Sequence, residues 1–335
     1  MSAIPGARGA SEQPNHERKR GCFFYVKRGL KWFGIVLVTL VLLGVAYQTI
    51  AIELDKRNYA PRGQLYTVNG HQMHMVCMGE GSPVVVLQAG GLADSLWWYR
   101  VQNQLAEHTR VCAFDRPGMG WSEPVEGPRD ALTIDVELHA LLEQAGIPAP
   151  YVMAGHSHGA VLTRIYAAEY PEEVVGIVLV DSSILIPKHF ANQSEFDEWK
   201  SSFGGLGVIY GVLTRIGLAR LTASTPFQNA GYSPDIVPEL AALQSRNQVL
   251  DTDIAEFHTG MWALTGASAA AESLDDLPMA VLWAPEAWIA TDTVVEGARA
   301  SREEISTYSS NSVTRIVEGA DHLSILGNES STRGR

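Results

Sequence analysis

The sequence predicts an α/β fold: a mostly parallel sheet with helices on both faces, a helical insertion between two late strands, and an N-terminal transmembrane helix. Three observations predict it. Short, continuous apolar runs such as Pro83–Gln88 and Val174–Val180 alternate with stretches of helical periodicity, and such runs mark strands buried on both faces. The alternation stops after Ser182 and resumes at Met279, with mostly helical signals between. A charge-free apolar run, Trp32–Ile52, precedes everything else.

Residues 1–31 carry seven Lys or Arg against Glu12 and Glu17, a balance of +5 that leaves −17 for the remainder of a chain of net charge −12. The first twenty residues, rich in Gly, Ser, Pro and charge, read as a disordered tail. Residues 32–52 are 21 in number, long enough to cross a hydrocarbon core of about 30 Å at about 1.5 Å per residue. A cleaved signal peptide fits less well, because its apolar region spans about 7–15 residues and a small-residue cleavage site follows it. The basic flank keeps the N-terminus cytoplasmic and sends everything after Glu53 across the membrane. A domain as acidic as the remainder is a poor partner for phosphate backbones, so no nucleic-acid partner is expected.

Residues 53–63 read as a linker. Gln64–Val68 and His71–Met78 are strand-like and separated by Asn69-Gly70, a hairpin signal. Then come strand Pro83–Gln88, helix Ser95–Ala106 and strand Arg110–Phe114. Thr133–Ala145 places Ile134, Leu138, Leu141 and Leu142 on one helical face, closed by Gly146 and Pro148. Strand Tyr151–Ala154, helix Ala160–Tyr170 and strand Val174–Val180 follow. The core resumes after the insertion with strand Met279–Ala284, a helix around Val294–Tyr308 and strand Val313–Val317. The domain plan is therefore a core of residues 64–183 and 278–335 and a helical insertion, 184–277. An insertion at that point should sit over the C-terminal strand edges, where open α/β sheets bind ligands, and so is a candidate lid.

The chemistry centres on GHSHG, residues 155–159. A strand, a GxSxG turn and a helix together expose a serine hydroxyl, with small flanking residues letting the backbone fold tightly. Serine is a weak nucleophile and needs a base, an orienting acid and oxyanion donors. Ser157 is the candidate nucleophile, and His322, in the loop VEGADHLS after the last strand, is the candidate base. His71, His74, His108, His139, His189 and His258 form no metal-ligand spacing. The loop AGGLADSLWW lacks a dinucleotide or phosphate-loop pattern, so neither metal nor cofactor is predicted. Asp115 and Arg116 are expected to lock the loop beside the site.

From Gln64 to His322 the chain resembles the α/β hydrolase superfamily, and most of all its bacterial esterase-like, often membrane-anchored members. The resemblance is carried by VVVLQAGG (84–91), FDRPGMGWS (114–122), GHSHG (155–159), IVLVDSS (177–183) and EGADH (318–322). It implies the α/β hydrolase fold, Ser157 as nucleophile, His322 as base, and an oxyanion hole made of the Gly91 and His158 backbone amides. For the acid it points first to Asp292, after the strand that follows the insertion, then to Asp181 at the preceding strand end, and third to Glu286. It sets the strands of Cys77 and Cys112 side by side, which favours a disulfide that the residues alone leave open. It also implies a closing C-terminal helix that is missing from the sequence.

The expected function is hydrolysis of a small-molecule ester, with a leaning towards lipophilic esters, through an acyl-enzyme. The alternatives are cleavage of another bond (amide, lactone or carbon–carbon) on the same scaffold, or a non-catalytic binding protein. Nothing in the sequence indicates an oligomeric state.

Overall fold

The computed structural model describes residues 17–127, 129–182, 192–256, 273–285 and 292–329. The sheet is built of β1 (Gln64–Val68), β2 (His71–Met78), β3 (Val84–Gln88), β4 (Val111–Phe114), β5 (Tyr151–His156), β6 (Val174–Val180), β7 (Met279–Trp283) and β8 (Ser312–Ile316). Its spatial order is β1-β2-β4-β3-β5-β6-β7-β8. The pairs β1–β2 and β2–β4 are antiparallel and the others parallel. The hairpin turn has positive φ at both Asn69 (50°) and Gly70 (88°), the conformation for which Asn-Gly is favoured.

The helices are α1 (Glu17–Asn58), α2 (Tyr99–Leu105, entered through a short turn at Ser95–Trp98), α3 (Ala131–Gln144) and α4 (His158–Glu169). The insertion contributes α5 (Gln193–Arg215), α6 (Thr225–Asn229), α7 (Val237–Gln244) and α8 (Asn247–Ala255). After it come α9 (Asp292–Ile305) and the short α10 (Ser324–Gly327). The sheet separates two apolar layers. On one face Leu138, Leu141 and Tyr166 pack on Val86, Met153 and Leu179. On the other, Trp97, Trp98, Phe227 and Leu240 pack on Leu87, Ala113 and Val180. Neighbouring residues of β3 thus face opposite layers, as a period of two requires.

Cys77 and Cys112 are directly opposed in the β2–β4 register and are joined by a disulfide. The apolar helix is long enough to cross a membrane, with a mean hydropathy of 2.4 and almost no burial within the protein. It is longer than its apolar run at both ends. Glu17 to Lys31 is helical, and so is 53–58 of the predicted linker, where Glu53 pairs with Lys56 and Arg57 one turn on. Only Tyr59–Gly63 remains to join α1 to β1.

After the His322 loop comes the four-residue α10. Ile325 and Leu326 are buried in the second layer, while β8 keeps Val313 and Ile316 exposed.

Candidate active site

Ser157 joins β5 to α4 with φ 54° and ψ −120°, a backbone conformation that costs a non-glycine residue on the order of 1–3 kcal/mol. The flanking glycines make the turn possible. A Cβ on Gly155 would lie 2.2 Å from the Gly159 carbonyl oxygen, and one on Gly159 would lie 2.3 Å from that of Gln88. The Ser157 N–H donates to the Val180 carbonyl at 2.9 Å, which ties the turn to β6.

His322 stands in the loop after β8. Asp321 holds that loop by accepting from the Leu323 and Ser324 amides at 2.9 and 2.8 Å, while its own N–H donates to Ser324 Oγ at 2.8 Å. His322 Nδ1–H donates to Asp181 Oδ2 at 2.7 Å. Asp181 leaves β6 with φ 44°, and its Oδ1 accepts from the Ala284 amide and Arg302 Nη2, both at 3.1 Å. Burial alone would raise the Asp181 pKa. The His322 hydrogen bond and charge, Arg302 and the Ala284 amide outweigh it and hold the carboxyl below the usual range. Asp292 opens α9; its side chain and all of Glu286 lie outside the described residues.

His156 is buried, and its Nε2–H donates to the His322 carbonyl at 2.8 Å. The two rings are 4.6 Å apart. Burial, then the nearby His322 charge, lowers the His156 pKa to about 3, so it packs as a neutral imidazole. This bond links the residue before Ser157 to the loop that carries His322.

The Ala89–Leu92 loop lies across the turn. A Cβ on Gly90 would stand 3.2 Å from both Ser157 Cβ and His156 Nδ1. Arg116 fixes this loop: Nη1 donates to the Ala89 carbonyl at 2.6 Å and Nη2 to that of Gly90 at 2.8 Å. The same guanidinium grips Glu256, at the end of α8, at 3.0–3.2 Å through Nε and Nη2, and both side chains are buried. Asp115 plays the companion part, accepting from His74 Nδ1–H at 2.8 Å and from the Ser95 and Trp121 amides at 2.6 and 3.0 Å. The sequence expectation that Asp115 and Arg116 lock this region has its structural counterpart in these bonds.

Two insertion carboxylates escaped the sequence reading. Asp253 Oδ1 accepts from the Leu92 amide at 2.8 Å and would be 2.9 Å from a Cβ on Gly91. Burial and the charge of Glu256 push its pKa up to about 7. Glu256 is held low instead: burial is overcome by Arg116, His158 and Arg129. His158 Nε2 lies 4.0 Å from Glu256 Oε2, and burial brings its pKa down to about 4. The available signal was Arg116, an arginine in an apolar loop that requires an acidic partner. Its position 140 residues before that partner hid the pair.

A cavity of about 430 Å³ lies between α1 and α8, lined by Ile52, Lys56, Arg129, Arg246, Asn247 and Thr252 among others. Neither Ser157 nor His322 lines it.

Residues 83–211 match a family described as alpha/beta hydrolase fold. An AB hydrolase superfamily protein of Gibberella zeae is 37% identical over 105 residues, covering 30% of this chain and 33% of that protein. The chain spans about a third or less of the length of the first three curated relatives it matches. Among solved structures, an N-formylmaleamic acid deformylase from Pseudomonas putida S16 superposes with a TM-score of 0.58 at 18% identity, over 80% of this chain and 98% of that one. An enol-lactonase from Burkholderia xenovorans LB400 gives 0.55 at 17%, over 78% and 94%. With the strand order and the Ser157 turn, these likenesses establish that the chain has the α/β hydrolase fold.

Proposed function

We propose that the protein is a serine hydrolase that cleaves carboxylic esters, with Ser157 as nucleophile, His322 as base and Asp181 as the acid that orients it. One observation carries the reading: Asp181 holds His322 by Nδ1, while His156, next to the strained Ser157, holds the His322 backbone. With the proton on Nδ1 fixed by the carboxylate, Nε2 is left as the basic nitrogen.

In the proposed reaction His322 Nε2 takes the Ser157 proton as Oγ bonds to the ester carbonyl carbon. The Gly91 and His158 amides receive the oxyanion, at the N-terminus of α4 in the case of His158. Collapse breaks the bond to the alcohol oxygen, which leaves with the proton from His322. Water, deprotonated by the same nitrogen, then releases the acid and regenerates Ser157. The likeness to a deformylase and a lactonase, both described in those words, fits attack on an acyl carbon.

The helical insertion is read as a lid, since Asp253 accepts from the Leu92 amide of the loop beside Ser157 and Glu256 grips Arg116, which holds the Gly90 carbonyl of that loop. α1 is read as a single-pass anchor through residues 32–52, with the N-terminus cytoplasmic and the hydrolase domain outside. The basic flank and the Cys77–Cys112 disulfide, which persists in oxidising compartments, support that orientation. Fluorophosphonate labelling tests the activity. The folded full-length protein should label and Ser157→Ala should not; absence of label on the folded wild type overturns the reading. Nitrophenyl esters of increasing chain length should then show preference for longer acyl chains.

A further inference from the structure

The anchor and the insertion are packed together. A Cβ on Gly44 would fall 2.6 Å from the Ile216 carbonyl oxygen, and one on Gly217 would fall 2.7 Å from the Tyr47 ring. Gln48 is buried; its Nε2 donates to the Ser245 carbonyl at 2.7 Å and its Oε1 accepts from Arg220 Nε at 3.2 Å. Arg220 also pairs with Asp55 at 2.6 Å.

These contacts set the insertion at a defined height on α1. Lys27, Arg28 and Lys31 mark the cytoplasmic edge of the apolar run. From Lys31 to Gly44 the helix rises by only about 20 Å, and from Lys31 to Gln48 by about 26 Å, at about 1.5 Å per residue. A hydrocarbon core is about 30 Å thick. The turn at Ile216 therefore falls short of the outer boundary of the core, at a depth where only bilayer or protein can surround it.

The surface of the insertion here has the composition that depth demands. Val208, Ile209 and Val212 are exposed along α5, and Leu218 and Leu221 just after it, at 48–73% of their full area. Single exposed aliphatics are ordinary, but five on one helix end and its following turn, beside a membrane helix, are not. The cations of this stretch are neutralised, Arg215 by Asp251 of α8 and Arg220 by Asp55 of α1.

We propose that the end of α5 and the turn after it, residues 208–221, are immersed in the outer leaflet of the same bilayer that α1 crosses. The occupant of this apolar surface is lipid, and the lid thereby draws a lipophilic ester from the membrane rather than from water. The inference rests on reading α1 as a membrane anchor.

The test uses the full chain in phosphatidylcholine nanodiscs, with Cys22→Ser so that an introduced cysteine is the one free thiol. Val208→Cys and Leu221→Cys are each labelled with an environment-sensitive nitrobenzoxadiazole dye. Val38→Cys on α1 and Leu132→Cys on α3, both at exposed positions, serve as membrane and water references. The expected result is blue-shifted emission at Val208 and Leu221 and an about twofold or greater quenching by lipids carrying a doxyl group near the headgroup, with Leu132 unaffected. Quenching at Val38 with Val208 and Leu221 behaving like Leu132 overturns the immersion and leaves the anchor standing. Loss of quenching at Val38 as well removes the anchor and this inference together. A blue shift at Val208 and Leu221 without doxyl quenching assigns the surface to a second copy and also overturns the proposal.

Discussion

His322 Nδ1 stands 2.7 Å from Asp181 Oδ2, at the end of β6. Asp181→Asn replaces the acceptor by an amide that can favour the wrong tautomer. Turnover of a nitrophenyl ester is expected to fall by about 10³–10⁴-fold with little change in KM, with an unaltered circular dichroism spectrum. Asp292→Asn should keep wild-type turnover. The reverse outcome would return the acid to the start of α9.

Asp253 has a folded-state pKa raised to about 7, above its unfolded value. Both states are protonated below about pH 4, and the folded state alone keeps the proton between about pH 4 and 7, so the cost of burying the charge grows across that window and is constant above it. Asp253→Asn removes this cost. Its Tm should match the wild type near pH 4 and exceed it by about 3 °C or more at pH 8, read by thermal melts across pH. A Tm gap that is constant with pH would contradict the raised pKa.

Arg116 and Glu256 form a buried pair joining the loop beside Ser157 to α8. Arg116→Met leaves Glu256 buried without its main cation and should cost about 3–5 kcal/mol. The double variant Arg116→Met, Glu256→Leu should recover much of that stability in urea titrations but not the ester turnover, because the Ala89 and Gly90 carbonyls stay untied.

The disulfide bridges two neighbouring strands at a sequence separation of 35. Replacing both by alanine should lower stability by about 2–4 kcal/mol. Urea midpoints with and without reductant report it, and the double alanine variant should be insensitive to the reductant.

Much of the architecture could be read directly because its signals are local. The Asn69-Gly70 turn, the apolar run of β3 and the Gly155 and Gly159 pair each declare a backbone conformation within a few residues. Ser157 and His322 come from that class of signal. Asp181 was harder, since sequence separation does not say which strand end faces the β8 loop; its carboxylate is aimed by a positive φ and by Arg302 from α9. Asp253 and Glu256 lie in a polar helix whose spacing carries no catalytic pattern, and only the folded chain brings them to Leu92 and Arg116. The extension of α1 through Asn58 carries the pairing of Asp55 with Arg220 of the insertion, a partner 165 residues away that a local reading of 53–63 does not contain.

α1 runs unbroken for 42 residues, about 63 Å at about 1.5 Å per residue, and its upper end is bolted to the insertion through Gln48 and Asp55. A rod without a hinge transmits its tilt to whatever it carries. With α1 as the proposed anchor, the domain on top would keep one height and one face downward, free chiefly to spin about the helix axis and to drift sideways. Under that proposal its search for reactants would become planar: a molecule confined to the same sheet of lipid would meet the domain by lateral diffusion, while one dissolved in bulk would first have to descend to that level.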